Sequence, residues 1–488
     1  MPFTPILCGE TLPPKNVHAV SVSIPSFSDV IDYGEKRSQA ITCGYPRFVL
    51  HPYLKKMAAF LHVKYAMHPM DEVVLVSSWR FAFLICEKFS IAHQDFDEPF
   101  GIVIVPKDAD VLKDVLLYIQ HVGCNLSSRY GEDYLFEQGL LPHKHSEERM
   151  DNAKEIIIET LAKAYRESKE NIALAPSGMN AIYAAIKGVQ EVKTGRKTVV
   201  QLGWLYRDTM GIVKDHCMAS KTFYNVNDLD ALEAYLVEEG NKVLCLITEV
   251  PTNPLIHCAD LKRLKYLCDT YGIALIIDST FGCAYNLDLK PYADIYVESL
   301  TKFACGHADV MMGALIINEA SPLARNKQQF FMHRDAPYLE DMRRLAVEIE
   351  AYETRIQTIN SNTKKVIEYL QGKGYVKEIY HALHEQNGEN YRSLMRHEDA
   401  IGGVISVTFT KDFGAVYNAL DFAKGPSLGT EFTLAMPYVY LAHYALVTCK
   451  EGQKLLQENH IPIELLRISV GVEPIEEIIE QFKKLEVL

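Results

Sequence analysis

Ala274-Leu275-Ile276-Ile277-Asp278-Ser279-Thr280, and shortly after it Asp294-Ile295-Tyr296-Val297-Glu298-Ser299-Leu300-Thr301-Lys302, decide the reading of the fold. Each is a short apolar or β-branched run ending in polar groups, as expected of a buried strand whose carboxyl end opens on a site. The pattern recurs upstream at 197–200 and 243–247, and a helical stretch fills 259–271. Strand, loop and helix in alternation predict a doubly wound, mostly parallel sheet. After Asn318 the text changes to a long helical stretch, about 339–372, and then to isolated strands such as 403–408. That change marks a second, smaller α+β domain at the C-terminal end.

Toward the other end, residues 1–50 are rich in Pro, Gly and Ser and read as an extended arm. Strand-like runs at 73–76 and 102–105 follow. Asp110 is placed as an N-cap for a helix that Gly123 closes, and a charged helix is expected over 147–170. The expected division is an arm at 1–50, an additional strand and helix segment at 51–165, a large domain at 166–330 and a small domain at 331–488.

The 488 residues, 48% hydrophobic and 23% charged, suit a soluble globular chain. A net charge of -13 argues against nucleic acid as a partner, because tracking phosphates needs a basic excess. No uninterrupted apolar run reaches membrane-spanning length, and the first residues lack a secretory pattern. Eleven cysteines without a C-x-x-C pair read as reduced thiols, which places the protein in the cytoplasm. His143-Lys144-His145 is read as a solvated loop, so no metal site is expected.

Asp278 after four apolar residues and Lys302 flanked by Ser299 and Thr301 suit pyridoxal 5'-phosphate (PLP). The lysine would form a Schiff base, the acid would hold the pyridine nitrogen protonated and the hydroxyls would meet the phosphate. Taken singly, Asp278 also reads as a helix cap, and Ser299 and Thr301 as turn residues. Pro176-Ser177-Gly178-Met179-Asn180 before an apolar helix suits an anion cradle, though any capping turn looks alike. Thr248-Glu249-Val250-Pro251-Thr252-Asn253-Pro254 is a rigid turn presenting the Asn253 amide, equally a structural feature.

In this order the motifs S-G-M, E-x-P-T-N-P, D-x-T-F, S-x-T-K and G-x-x-D-V-x-x-G resemble the Cys/Met-metabolism family of PLP enzymes. So do Ser427-Leu428-Gly429 and Arg467-Ile468-Ser469-Val470-Gly471-Val472-Glu473. Pro13-Pro14-Lys15-Asn16-Val17-His18 and Gly44-Tyr45-Pro46-Arg47-Phe48 are similar to the fungal cystathionine gamma-synthases, which also carry a long segment before S-G-M. The resemblance implies the aspartate aminotransferase (type I) fold, with PLP as cofactor.

It further implies that Lys302 holds the cofactor, Asp278 pairs with its ring nitrogen beside Thr280, and Asn253 lies near its 3'-oxygen. Gly178, Met179, Ser299 and Thr301 would bind phosphate, joined by Tyr45 and Arg47 from a neighbouring subunit. Such sharing implies a homodimer or homotetramer. Arg467 would grip the substrate carboxylate, assisted by Ser427. The family's Y-G-G-x-Y stretch matches Leu202-Gly203-Trp204-Leu205-Tyr206, so Leu202 stands at the stacking position. Trp204 or Tyr206 would swing in instead, and Tyr206 is the candidate catalytic tyrosine. Glu431 is read as a determinant of substrate choice or as a rim charge.

The activity implied is γ-replacement of an activated homoserine with cysteine to give cystathionine. A sulfur-amino-acid lyase, γ-replacement with another nucleophile and a non-catalytic binding relative are the competing readings.

Overall fold

The computed structural model describes residues 3–384 and 388–488. Its large domain is built on a seven-stranded sheet. In spatial order the strands are Ile172–Ala175, Gly313–Ile317, Ile295–Ser299, Ala274–Asp278, Val243–Glu249, Thr198–Leu202 and Ala219–Phe223. Gly313–Ile317 runs antiparallel to both of its neighbours, and the remaining pairings are parallel. Helices cover both faces, which is why Val243–Glu249 is buried at every position and reads as an apolar run up to Ile247. The register sets Glu249 opposite Asp278, and Asp278 opposite Val297. The carboxyl ends of three strands therefore bring Glu249, Asp278 and Ser299 to one edge.

Helix Gly178–Val192 starts at that edge and packs on the sheet through small residues, Ala181, Ala184 and Ala185. Ser177 caps it from an extended backbone, its hydroxyl accepting from Asn180 N. The helix Ala153–Tyr165 belongs to this domain, since Ile157, Leu161 and Tyr165 enter its core. It is shorter than the stretch expected from charge patterning and lies inside the large domain. The expected 339–372 helix is two, Leu339–Ile349 and Tyr352–Leu370. The second begins in the large-domain core at Ile356 and Ile359 and ends in the small-domain core at Val366 and Leu370. The small domain carries a five-stranded, mostly antiparallel sheet at whose centre Leu466–Ser469 lies.

The added segment forms its own layer. Strands Asp71–Val76 and Gly101–Pro106 pair antiparallel, apart from the main sheet. Val73, Leu75 and Ile102 face one core with Leu54, Met57 and Leu135. Val74, Val76, Val103 and Val105 face the other, with Phe81, Ile85, Val115 and Ile119. That second core continues without a break into Met179, Ile182 and Ile186 of the large domain. Period-two alternation between two apolar faces explains why these runs lack a polar side. Helix Asp110–Val122 begins one residue beyond Ala109, its N-cap, and ends on Gly123 in the left-handed region.

The arm lies on its own chain. Thr11–Leu12 pairs with Ser21–Val22, and Ile24 N donates to Lys424 O at 2.8 Å. Helix Phe27–Gly34, closed by a Ser26/Asp29 capping box, sets Phe27 edge-on to Phe413 and Tyr440. Among the described residues no helix is long and apolar enough to cross a membrane, and all eleven cysteines are free thiols.

Candidate active site

Where the carboxyl ends of the sheet meet the small domain and the arm, a cavity of about 140 Å³ opens. Lys302, Asp278, Thr280, Ser299, Gly178, Met179, Asn253, Ser427, Arg467, Tyr206, Tyr45 and Arg47 all line it. All of the site residues expected from the sequence except Thr301 are thus brought together.

Lys302 is buried and donates from Nζ to Ser427 Oγ at 2.9 Å. Burial lowers its pKa, and the positive charges of Arg47 and Arg467 add to that effect against Tyr45. Ser427 holds this contact from a left-handed backbone, φ 104°, a strained conformation for a serine. Asp278 is also buried, which raises its pKa, although Thr280 donates to Asp278 Oδ1 from both its N–H (2.9 Å) and Oγ1 (2.6 Å). Thr280 Oγ1 in turn accepts from Ser299 N at 2.9 Å.

Arg467 comes from the central strand of the small sheet. It donates to Asn253 Oδ1 at 3.1 Å and to Ser427 O at 2.8 Å. No carboxylate pairs with it among the described residues, and burial pushes its pKa down to about 10. Its guanidinium lies 5.3 Å from the centre of the Tyr438 ring. A buried guanidinium without a counter-ion, turned to a cavity, is a ready-made carboxylate receptor.

Arg47 differs. Its Nη1 donates to Asp208 Oδ2 at 2.5 Å and to Gln120 O at 2.7 Å, and its Nη2 donates to Tyr206 Oη at 2.7 Å. Burial works against its charge, but Tyr206, Asp208 and Tyr45 outweigh it and raise its pKa. Burial also drives the Tyr206 phenol well above its ordinary range. Tyr45 stands beside Lys302, with Nζ 4.6 Å from its ring centre. Both Tyr45 and Arg47 reach the cavity that holds Lys302 of the same chain, where the sequence reading had assigned them to a neighbouring subunit.

Three expectations are refined. Thr301 faces away: its hydroxyl donates to Met312 O at 3.3 Å and accepts from Met312 N at 3.1 Å, so Ser299 is the cavity's hydroxyl. Trp204 packs against Tyr224 and His443, and Tyr206 is the aromatic of that segment that enters the cavity. Glu431 is paired with Arg355 and His307 and does not line the cavity.

Sequence reasoning missed Glu249, Tyr438, Phe281 and Met436 as lining residues. Glu249 sits in the E-x-P turn already singled out, and its place after six buried strand residues was the available signal. Its Oε1 accepts from Tyr206 N, whereas its Oε2 is buried without a partner. Burial, with Asp278 nearby, raises its pKa well above the carboxylate range.

These residues fit PLP. Among the described residues no hydrogen bond engages the N–H groups of Gly178 and Met179 at this helix start, and Asn180 N is taken by Ser177. A Cβ at Gly178 would lie 2.9 Å from Ser299 Cβ, so the cradle requires glycine there. A buried acid, a buried lysine that pairs with no carboxylate among the described residues and the buried Glu249 Oε2 complete the donor and acceptor set.

Comparison with known proteins agrees. A model of the Cys/Met metabolism PLP-dependent enzymes matches residues 125–485. The L-2-amino-4-chloropent-4-enoate dechlorinase/desaturase of Streptantibioticus cattleyicolor is 35% identical, the alignment covering 96% of each chain. The cystathionine gamma-synthase of Neurospora crassa is 28% identical, covering 98% of each. In fold, the chain resembles cystathionine gamma synthase from Xanthomonas oryzae pv. oryzae in complex with cystathionine. The TM-score is 0.59 at 20% identity, over 68% of this chain and 85% of that one.

Proposed function

The chain belongs to the Cys/Met metabolism PLP-dependent enzymes, and from that premise we propose that it exchanges a γ-substituent of an L-α-amino acid. The reading is cystathionine γ-synthase-like: an O-activated homoserine as donor and cysteine as acceptor. PLP, the cofactor, supplies an aldehyde and an electron sink.

Asp278 would hold the ring nitrogen, and the N–H groups of Gly178 and Met179 with the Ser299 hydroxyl and Arg47 would hold the phosphate. Lys302 would carry the cofactor and would move protons at the substrate's α- and β-carbons; burial lowers its pKa, which favours the neutral amine that a base requires. Arg467, braced by Asn253 and the Ser427 carbonyl, binds the α-carboxylate and keeps the amino acid oriented over the lysine. Tyr206 assists proton transfer beside it. The enzyme is placed in the cytoplasm.

The observation that carries this reading is that Arg467 and Lys302 line one cavity, and neither is ion-paired to a carboxylate among the described residues. Product identification with PLP, O-acetyl-L-homoserine and L-cysteine tests it. Cystathionine formed only with cysteine is the expected result, and no turnover would overturn the donor assignment.

A second reading, γ-elimination without a nucleophile, is favoured by the apolar part of the wall, Val22, Phe48, Leu428, Leu441 and Ala442, which suits a small apolar substituent, while Arg207 and Tyr33 also line the cavity. The relative from Streptantibioticus is named for dechlorination and desaturation. Chloride released from a γ-chloro amino acid, regardless of cysteine, would move the assignment to a lyase.

A further inference from the structure

Glu298 is a buried carboxyl that the chemistry above leaves unused. On the strand Ile295–Ser299 alternate residues face opposite ways. Ile295 and Val297 join the core of helix Gly178–Val192, whereas Tyr296 and, beyond the strand, Leu300 join the core on the other side of the sheet. Glu298 shares that second face and is 1% exposed. It therefore lies behind the sheet, next to Ser299 in the chain and close enough to Asp278 for the two charges to oppose each other.

Its partners are neutral. Tyr165 Oη donates to Glu298 Oε2 at 2.5 Å, and Tyr352 Oη donates to Oε1. Ser279 Oγ lies 2.5 Å from Tyr165 Oη, and Cys283 Sγ donates to Tyr352 Oη at 3.1 Å. Tyr285 stands edge-on to Tyr352, Tyr296 lies beside Tyr165, and Ala314 is opposite on the neighbouring strand. No cation pairs with Glu298 among the described residues; Arg396, whose charge reaches Tyr165 and Cys283, donates instead to Ala164 O at 2.6 Å. A carboxyl placed this way costs stability that an apolar side chain of its size would not.

The hydrogen bonds can run in two directions. With Glu298 ionised, both phenols donate to it and Ser279 donates to Tyr165. With one proton gained from water, the new Glu298 O–H donates to Tyr165 Oη, the Tyr165 hydrogen turns to Ser279 Oγ, and the Ser279 hydrogen turns to Val297 O at 3.3 Å. Every hydroxyl keeps one hydrogen, and the added proton stays on Glu298. Burial raises the pKa of this carboxyl to about 7 against the two phenols, with Asp278 adding to the rise.

We infer that Glu298 is a positioning residue acting through Asp278: it exchanges one proton along the Tyr165 and Ser279 hydroxyls, and its negative charge behind the sheet favours a proton on the ring nitrogen that Asp278 would hold. The inference rests on the PLP reading of the cavity.

The first measurement needs no cofactor. Infrared difference spectra of the PLP-free protein, wild type minus Glu298→Gln, are followed across the neutral range. The carbonyl band of a protonated carboxyl, lost as pH rises through about 7, is the expected result. Tyr165→Phe removes a donor to the carboxylate and should move that midpoint upward by up to about one unit. A band that is missing or does not titrate would overturn the inference. Should Glu298→Gln not fold, the difference between wild type and Tyr165→Phe carries the same decision.

The loaded enzyme tests the link to Asp278. The visible absorbance of lysine-bound cofactor is titrated with pH. Glu298→Gln removes a negative charge and should lower the midpoint by up to about one unit, with kcat falling several-fold and KM unchanged. Tyr165→Phe should shift the midpoint the same way by less. A midpoint unmoved in both folded variants would overturn the role toward the ring, even if the infrared band titrates. A wild type that develops no visible absorbance would overturn the cofactor reading itself, a failure that the infrared titration tells apart.

Discussion

Arg47 and Arg467 line the same cavity, one from the arm and one from the small domain, and their surroundings differ in one decisive respect. The arm wall gives Arg47 a buried carboxylate, Asp208, so its charge is already balanced. The small-domain wall gives Arg467 only an amide oxygen, a carbonyl and the sulfur of Met436. Arg47 meets the cavity with its charge already balanced, whereas Arg467 retains an unmet demand for an anion.

The comparison can be broken by mutation. Lys302→Ala, which removes the base between the two walls, should lower turnover by at least about 10^4-fold; residual turnover much above that would place the base elsewhere. Asp208→Ala strands the Arg47 charge and should destabilise the fold by about 3–5 kcal/mol, read as a shifted urea midpoint. Arg467→Leu should do the reverse to the fold, leaving the midpoint unchanged or raised, since it deletes a buried charge that has no partner. Its kcat/KM should fall roughly 30–150-fold, equivalent to about 2–3 kcal/mol, mostly through KM. If both substitutions destabilise alike, the distinction between the walls is lost.

The smallest effect concerns pH. Because burial and both arginines depress the Lys302 pKa, the unfolded chain binds more protons between that lowered value and the ordinary 10.5. Stability of the PLP-free enzyme therefore rises with pH through that window. Removing a positive neighbour favours the protonated amine. Arg47→Gln should thus move the midpoint of pH-dependent PLP capture upward by up to about one unit. Arg467→Leu should move it no further.

The base of the cavity was legible from local pattern, and its arm residues, Tyr45 and Arg47, only through the family resemblance. Asp278, Ser299 and Lys302 follow apolar runs, and a parallel sheet delivers strand ends to one edge whatever the loops do. Thr301 was misplaced because only Ser299 of the two hydroxyls faces the cavity, a matter of turn geometry that spacing leaves open. The runs at 73–76 and 102–105 were legible as strands, but nothing in a β-branched run states its partner, and they paired with each other. Glu249 hid within a proline-rich turn whose structural reading was sufficient by itself. The salt bridge of Arg47 to Asp208 joins residues 161 positions apart, and no local pattern announces it.

Gly123 ends the helix of the added unit against Ser177, where a Cβ would come within 2.1 Å of the serine hydroxyl. That hydroxyl donates to Gly123 O at 2.9 Å while accepting from Asn180 N. One oxygen thus serves as both rivet and cap. Anyone trimming residues 51–141 to obtain a minimal catalyst would remove the rivet and loosen the helix start that forms the phosphate cradle. The segment that looks most dispensable by length is, in engineering terms, part of the foundation.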